Sequence, residues 1–182
     1  MIRNEKVRNL VLCSLFAALI AVCSWISIPT TVPFTMQTFA VFVTIGILGG
    51  KLGTLAVLVY IVMGVIGLPV FSGFAGGYAA LVGSTGGYII GFIGIAAAMW
   101  LFSGLFGNKI WVQASGMVAG LLICYVFGTA WFMVVYGMNT GAVGLATVLS
   151  WCVIPFIVPD LLKIALALIV IKRLKPALRK GK

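Results

Sequence analysis

The chain has 182 residues, of which 63% are apolar and 8% are charged, with twelve Lys or Arg, two acidic residues and no His. A soluble domain usually carries about 25% charged residues, because its surface must be hydrated. The few charges of this chain cannot hydrate such a surface. The composition therefore excludes most soluble enzymes and predicts a protein whose solvent is a lipid bilayer.

Three long stretches contain no charged residue: they lie between Arg8 and Lys51, between Lys51 and Lys109, and between Lys109 and Asp160. Each is long enough for two helices of the roughly 20 residues that cross the hydrocarbon core. Lipid permits only helices or closed barrels, and a barrel needs alternating polar and apolar residues. Runs such as 110–133 show no alternation. The sequence predicts an all-α integral membrane protein.

Segments rich in proline or glycine divide these stretches at residues 28–33, 67–87 and 137–141. They predict six transmembrane helices in one domain, residues 1–182. The predicted helices cover about 9–27, 36–50, 52–67, 86–106, 110–136 and 158–175.

Residues 144–157 form an apolar segment between the fifth and sixth predicted helices. Because prolines close this segment, we expect it to pack against the bundle or dip into it. Pro159 is expected in the first turn of the last helix, where its missing N–H has no cost. Asp160 would then lie near the positive end of that helix dipole.

Eleven of the twelve basic residues lie near the two ends of the chain or in two of the predicted loops, and the other three loops have none. Because basic residues mark cytoplasmic loops, both termini are expected in the cytoplasm. Their position beside the helices predicts contact with lipid headgroups, not with nucleic acid. The eleven are Arg3, Lys6, Arg8, Lys51, Lys109, Lys172, Arg173, Lys175, Arg179, Lys180 and Lys182.

The sequence has few residues for catalysis or metal binding. Without His, neither a Ser/His/Asp set nor a Cys/His set can form. The four cysteines form no Cys-x-x-Cys pair and lie in apolar surroundings, which favours packing over zinc or iron–sulfur ligation: they are Cys13, Cys23, Cys124 and Cys152. We expect no enzyme activity, no cofactor and no metal.

Apart from Lys172, Arg173 and Lys175 at its end, the last predicted helix carries two charged residues, Asp160 and Lys163, and the other predicted helices carry none. Three residues apart, they share one face of a helix. A charge at membrane depth is costly and often marks a substrate path. The alternative is an ion pair that only holds the last helix against its neighbours.

Segments 69–78 and 83–88 lie on the same predicted side of the membrane as Asp160. They combine glycines, hydroxyls and aromatic rings, which suit the pocket of a small organic ligand. Their glycines have an alternative explanation in tight helix crossing, which better explains Gly87-x-x-x-Gly91 and Gly116-x-x-x-Gly120.

Four segments together resemble one known family: Val-Pro-Phe-Thr-Met-Gln-Thr at 32–38, Gly-Leu-Pro-Val-Phe at 67–71, Gly-Ser-Thr-Gly-Gly-Tyr-Ile-Ile-Gly-Phe at 83–92, and Pro-Asp-Leu-Leu-Lys at 159–163. They resemble, in this order, the BioY family, the biotin-specific substrate-capture (S) components of energy-coupling factor (ECF) transporters. The family usually has proline where Ser84 stands, which affects the expected pocket shape.

The resemblance implies the ECF S-component fold and biotin uptake across a bacterial cytoplasmic membrane. It also implies three partner proteins: a transmembrane coupling subunit and two cytoplasmic ATPases that hydrolyse ATP. Ala17 and Ala21 are similar to the small-residue pattern by which S components meet the coupling subunit. Ordinary packing inside the chain is the alternative for this pair.

The resemblance implies that Asp160 and Lys163 contact biotin. Asp160 can accept a hydrogen bond from a ureido N–H, while Lys163 neutralises it and donates to the ureido carbonyl. In the opposite arrangement Lys163 binds the carboxylate tail; we favour the ring. Further predicted contacts are Thr35, Gln37 and Thr85 for polar groups, and Phe71 and Tyr88, the latter preferred to Tyr78, for the apolar part.

Two other functions fit the same sequence: an S component for a different vitamin, and a membrane scaffold that transports nothing. A scaffold would show no thermal stabilisation by biotin, because only a ligand of the folded state raises stability.

Overall fold

The structure, a computed structural model, describes residues 5–179. Within this range the chain forms eight α-helices, a two-stranded hairpin and one 3₁₀ turn at Ser72–Phe74. In chain order the elements are α1 Glu5–Trp25, β1 Ser27–Ile28, β2 Phe34–Thr35, α2 Gln37–Leu48, α3 Gly50–Val65, α4 Tyr78–Val82, α5 Gly86–Phe106, α6 Ile110–Thr140, α7 Leu145–Cys152 and α8 Ile154–Arg179.

The helices form one bundle with two distinct ends. One end gathers the start of α1, the α2–α3 turn, the α5–α6 turn and the last part of α8, so that Glu5, Gly49, Asn108 and Lys175 line one cleft. We call it the basic end. The opposite end, the loop end, holds the hairpin and the longer connections, tied together by hydrogen bonds from Trp25 to the Pro69 carbonyl and from Trp131 to the Gly83 carbonyl.

Helix α2 runs through the centre of the bundle. Residues 40–47 are buried on every side, and α2 packs against α1, α3, α5 and α8. Gly49 alone separates α2 from α3, with a φ of 83° that favours glycine. With 12 and 16 residues, α2 and α3 are about 18 and about 24 Å long.

Four of the described helical segments are long and apolar enough to span a membrane: Glu5–Trp25, Gly86–Phe106, Ile110–Thr140 and Leu145–Ala177. The prediction of a helical membrane protein is thereby supported. Helices α2 and α3 are shorter than a crossing of about 30 Å requires. The count of six spans stays a prediction.

Most helix boundaries agree with the sequence prediction. Helix α5 has the predicted limits, and α6 begins where expected but continues to Thr140. The prediction for the last helix is wrong at its start: α8 begins at Ile154, so Pro159 lies inside it and Asp160 is beyond the first turn. Pro155 occupies that first turn instead, where a missing N–H is tolerated.

The segments between the predicted helices have structure of their own. Segment 28–33, predicted only as a break, contains the last residue of β1 and the turn of a hairpin. Its strands pair antiparallel, Ser27 with Thr35 and Ile28 with Phe34. The predicted segment 144–157 contains α7, which packs against α6 and α8. Packing against the bundle is therefore confirmed for this segment.

Close crossing of α5 and α6 explains the glycines of the two predicted small-residue patterns, Gly87-x-x-x-Gly91 and Gly116-x-x-x-Gly120. A Cβ added to Gly91 would lie 2.7 Å from the Cys124 Sγ, and one added to Gly120 would lie 2.8 Å from the Ile95 Cα. Any larger residue would separate the two helices. The packing interpretation of these glycines is confirmed.

Ala17 and Ala21 face the interior of the bundle, where they are 0% and 4% exposed and belong to the main hydrophobic core. This corrects their assignment to a partner contact, because the chain itself already covers that face of α1. The exposed face of α1 carries Ser14 and Ala18 instead.

Candidate functional site

Asp160 and Lys163 form a buried ion pair in the part of α8 nearest the loop end. The Lys163 Nζ lies 2.8 Å from the Asp160 Oδ1, and the two residues are 4% and 2% exposed. The prediction that their three-residue spacing places them on one helix face is confirmed. Neither charge reaches solvent, so other parts of the chain must satisfy their remaining hydrogen-bonding capacity.

Side chains from three other elements make hydrogen bonds or a ring contact with this ion pair. The Thr38 hydroxyl of α2 donates to the Asp160 Oδ1 over 3.1 Å and accepts from the Lys163 Nζ over 3.2 Å. The Tyr125 hydroxyl of α6 donates to the Asp160 Oδ2 over 2.6 Å. The Lys163 Nζ also lies 4.3 Å from the centre of the Phe34 ring, which the positive charge attracts. The pair is thus held by the hairpin, α2 and α6 together.

A second polar network begins next to this pair. The Thr35 hydroxyl donates to the Gln37 Oε1 over 3.0 Å, and the Gln37 Nε2 donates to the Tyr60 hydroxyl over 2.5 Å. Tyr60 in turn donates to the Val70 carbonyl over 3.2 Å, and Ser24 donates to the same carbonyl over 2.6 Å. These bonds hold the Gln37 amide in one orientation beside the cavity.

The two networks border a cavity of about 60 Å³ at the loop end. Thr35, Gln37, Thr38, Asp160 and Lys163 supply most of its polar wall. The apolar wall includes Val32, Tyr88, Phe92, Leu121, Cys152 and Phe156. A few polar groups in an apolar, aromatic surround are typical of a small-molecule site, although such sites usually measure about 300 Å³ or more.

Tyr88 reaches the cavity because α6 leaves room for its ring. Its hydroxyl lies 3.1 Å from the Thr129 Oγ1, and a Cβ added to Gly128 would lie 2.3 Å from the ring. Tyr78, the less favoured tyrosine, is 68% exposed and does not line the cavity. The choice of Tyr88 over Tyr78 agrees with this geometry.

Five of the seven predicted contact residues meet at the cavity: Thr35, Gln37, Tyr88, Asp160 and Lys163. Two do not. Phe71 is buried and its ring lies at 83° to the Tyr60 ring, with 5.6 Å between ring centres, so it packs against the second network. Thr85 precedes the first residue of α5, and its side chain makes no capping hydrogen bond.

Sequence reasoning missed several cavity residues. Thr38 lies within the matched segment 32–38, so its hydroxyl could have been found there. Tyr125 gave no signal, because α6 is apolar on all sides and Tyr125 lies 35 residues before Asp160. The cysteines were expected only to pack, yet Cys124 and Cys152 also line the cavity.

In the described residues no group of three or more His, Cys, Asp or Glu side chains is placed to hold a metal ion. All four cysteines are buried thiols without a disulfide. The polar groups of the cavity are hydroxyls, one amide, one carboxylate and one ammonium, which suit recognition by hydrogen bonds of an organic group that has both donors and acceptors.

The fold and the site together define a helical membrane protein whose described residues form a buried polar site at the loop end. The BioY family model matches residues 1–180. The chain belongs to the BioY family.

Curated relatives and a solved structure agree with this assignment. The chain is 43% identical to the biotin transporter BioY of Thermotoga maritima, over 92% of this chain and 96% of the relative. It is 42% identical to the probable biotin transporter BioY of Pyrococcus horikoshii, over 93% and 98%. Its fold matches the crystal structure of the S-component for biotin from an ECF-type ABC transporter, with a TM-score of 0.84, 25% identity and coverage of 97% and 95%.

Proposed function

We propose that this chain captures biotin in the cavity beside Asp160 and Lys163, as the S component of an ECF-type ABC transporter. The observation that carries the proposal is the buried pair itself, which faces a cavity. The chain also belongs to a family whose relatives are named biotin transporters. An ion pair that only held α8 against its neighbours would not need to border a cavity.

The chemistry of the cavity suits the ureido ring and the apolar part of biotin. The ureido ring has two N–H donors and one carbonyl acceptor, which match the Asp160 carboxylate and the Lys163 ammonium. The Asp160 oxygens already accept hydrogen bonds from Thr38 and Tyr125. An arriving ureido N–H therefore either shares an oxygen with one of these donors or replaces that donor. Phe156 and Tyr88 offer apolar surface to the thiophane ring and the chain.

Biotin needs more space than the cavity of about 60 Å³ provides, so part of the wall must move. The hairpin and α7 are the elements suited to this. Val32 and Val148 belong to a small hydrophobic cluster separate from the main core, and the Phe34 and Phe156 rings stack at 5.7 Å. Opening this small cluster leaves the main core intact.

We further propose six membrane crossings, among them the short helices α2 and α3, and both termini in the cytoplasm of a bacterial cell. The described basic residues other than Lys163 support this, since they lie near the basic end. Arg3, Lys180 and Lys182 lie outside the described residues. Energy for uptake would come from a coupling subunit with two ATPases, and Ser14 and Ala18 give α1 an exposed small-residue surface for that subunit.

Biotin binding by the purified chain tests the proposal. We expect wild type to bind, and Asp160→Asn or Lys163→Ala to lose about 2 kcal/mol of binding free energy or more, at least about thirtyfold in affinity. Glu5→Gln and Lys109→Ala make comparable changes at the basic end and should bind as wild type does. Circular dichroism and thermal unfolding of each variant confirm that it folds.

The double variant Asp160→Leu/Lys163→Met separates ligand contact from packing. Replacing a buried ion pair by apolar residues often preserves stability, so this variant should fold and still fail to bind biotin. Binding equal to wild type by the double variant would assign the pair a purely structural role. If wild type ignored biotin and bound another vitamin, the substrate assignment would be wrong.

A further inference from the structure

A second and larger cavity lies at the basic end. It is a cleft of about 590 Å³ between the start of α1, the α2–α3 turn, the α5–α6 turn and the last part of α8. It shares no lining residue with the cavity beside Asp160. A ligand in this cleft would therefore occupy a site separate from the one proposed above.

The cleft is positively charged. Arg8, Lys51 and Lys175 line it, and Glu5 is the one acidic residue among its described lining residues. The Glu5 carboxylate lies 3.6 Å from one terminal nitrogen of Arg8. The Arg8 Nε is enclosed and makes no hydrogen bond within the described part of the chain. A buried donor without an acceptor is costly, so the guanidinium is incompletely satisfied. The Arg8 side chain is 24% exposed, and through this exposed part a ligand that brings acceptor oxygens can approach the guanidinium.

One wall of the same cleft is apolar. Leu12 and Leu52 are half-buried and Leu55 is exposed on the outer surface of α3, while Lys51 stands at the start of that helix. The cleft therefore changes from cationic to apolar along α3, in the direction that leads from the headgroup region into the hydrocarbon. The first turn of α3 also borders the cleft through Gly50, and its N–H groups add partial positive charge.

A ligand that fits both walls must carry an anionic group with acceptor oxygens and an adjacent apolar part. We propose that this cleft binds the phosphate headgroup of an anionic phospholipid, with Arg8 and Lys51 on the phosphate and the acyl chains along Leu52 and Leu55. A free phosphate would satisfy the basic residues alone and leave the leucine wall without a partner. The two walls together favour the lipid.

Native mass spectrometry of the detergent-solubilised full chain tests this proposal. The probes are phosphatidylglycerol and phosphatidylcholine with identical acyl chains. Wild type should retain one phosphatidylglycerol molecule that phosphatidylcholine does not displace. Arg8→Gln/Lys51→Gln should lower that occupancy by about tenfold or more, whereas Lys109→Gln/Arg173→Gln, which removes the same two charge types outside the cleft, should leave it unchanged.

Three outcomes overturn the proposal. Equal loss in the cleft variant and in the control variant would mean diffuse attraction by net charge. Equal retention of the two lipids would remove the role of charge. Displacement of the lipid by millimolar inorganic phosphate would make this a site for free phosphate. If the cleft variant does not fold, the single exposed change Lys51→Gln keeps the test decisive, with an expected loss of about threefold or more in occupancy.

Discussion

Two acid–base pairs in this chain have the same spacing, Glu5 with Arg8 in α1 and Asp160 with Lys163 in α8. The first pair lies at the basic end, 3.6 Å apart, with side chains that are 72% and 24% exposed. The second is separated by 2.8 Å and is almost fully buried. Equal spacing on a helix thus produces two different electrostatic environments, and burial accounts for the difference.

This difference determines what each pair can do. In water an ion pair contributes about 0–1 kcal/mol to stability and is screened by salt. A buried pair contributes little more than apolar residues of the same shape, but losing one partner is expensive. Stability alone gives no reason for Asp160 and Lys163, whereas recognition of a ligand with both donors and acceptors does.

The largest effect should come from leaving one buried charge without its partner. Asp160→Leu alone should lower the free energy of unfolding by about 3–5 kcal/mol, because Lys163 loses its counter-ion. Glu5→Gln should change it by about 1 kcal/mol or less. Unfolding in mixed micelles with increasing SDS measures both. Similar losses of unfolding free energy in the two variants would contradict the difference inferred between the buried pair and the pair at the basic end.

The second effect concerns the space beside Tyr88. Gly128→Ala places a Cβ where the Tyr88 ring lies, and such overpacking typically costs about 1–3 kcal/mol. Because the displaced ring lines the cavity, biotin affinity should fall about tenfold, a loss of about 1.4 kcal/mol. In the same helix Gly137→Ala meets no atom within 4 Å and should bind biotin as wild type does. Isothermal titration compares the two, and equal affinities would place Tyr88 outside the binding site.

A smaller effect should follow from removing one donor to Asp160. Tyr125→Phe deletes the bond to the Asp160 Oδ2, worth about 1.5 kcal/mol at the lower end for bonds to charged groups. Either biotin affinity or stability should fall by this amount, according to whether the bond persists in the complex. Tyr136→Phe keeps the ring that stacks on Phe132 at 5.0 Å and serves as the matched control. No change in either quantity would show that Tyr125 does not hold Asp160.

The smallest effect is expected from salt. Raising ionic strength from about 0.05 to about 0.5 M should leave biotin affinity within a factor of about two, because a buried pair is hardly screened. Lipid retention at the basic end should fall over the same range, since Lys51 is exposed to solvent there and Arg8 is partly exposed. A steep salt dependence of biotin binding would indicate that Asp160 and Lys163 act from solvent.

Glycine and proline in the sequence predicted helix limits where those limits depend only on neighbouring residues. Gly86 and Gly107 enclose α5, and its limits were predicted correctly because glycine interrupts an otherwise uniform apolar run. Two prolines lie near the start of α8; the prediction placed Pro159 in its first turn, whereas the helix begins at Ile154 and has Pro155 there. Whether Pro155 or Pro159 occupies the first turn depends on how α7 meets α8, which no local pattern contains.

The contacts of the site also fall into two groups, those within one helix, which the sequence predicted, and those between distant segments, which it did not. The pairing of Asp160 with Lys163 follows from helix geometry over three residues, so the sequence predicted it. The bonds from Tyr125 and Thr38 span 35 and 122 residues and depend on how α6 and α2 are rotated. Ala17 and Ala21 show the same limit: a four-residue spacing identifies a shared face and leaves open whether that face meets this chain or another.

The sequence by itself determined the membrane environment, the helical class, the buried pair and the resemblance to the BioY family, because these follow from composition, from spacing within one helix and from short motifs. Only the tertiary structure decided which side chains surround the pair, where the two cavities lie and which face of α1 remains exposed. The physical reason is that helices apolar on all sides carry no periodic signal of their rotation. Close contacts, such as those at Gly91 and Gly120, set it in the folded chain.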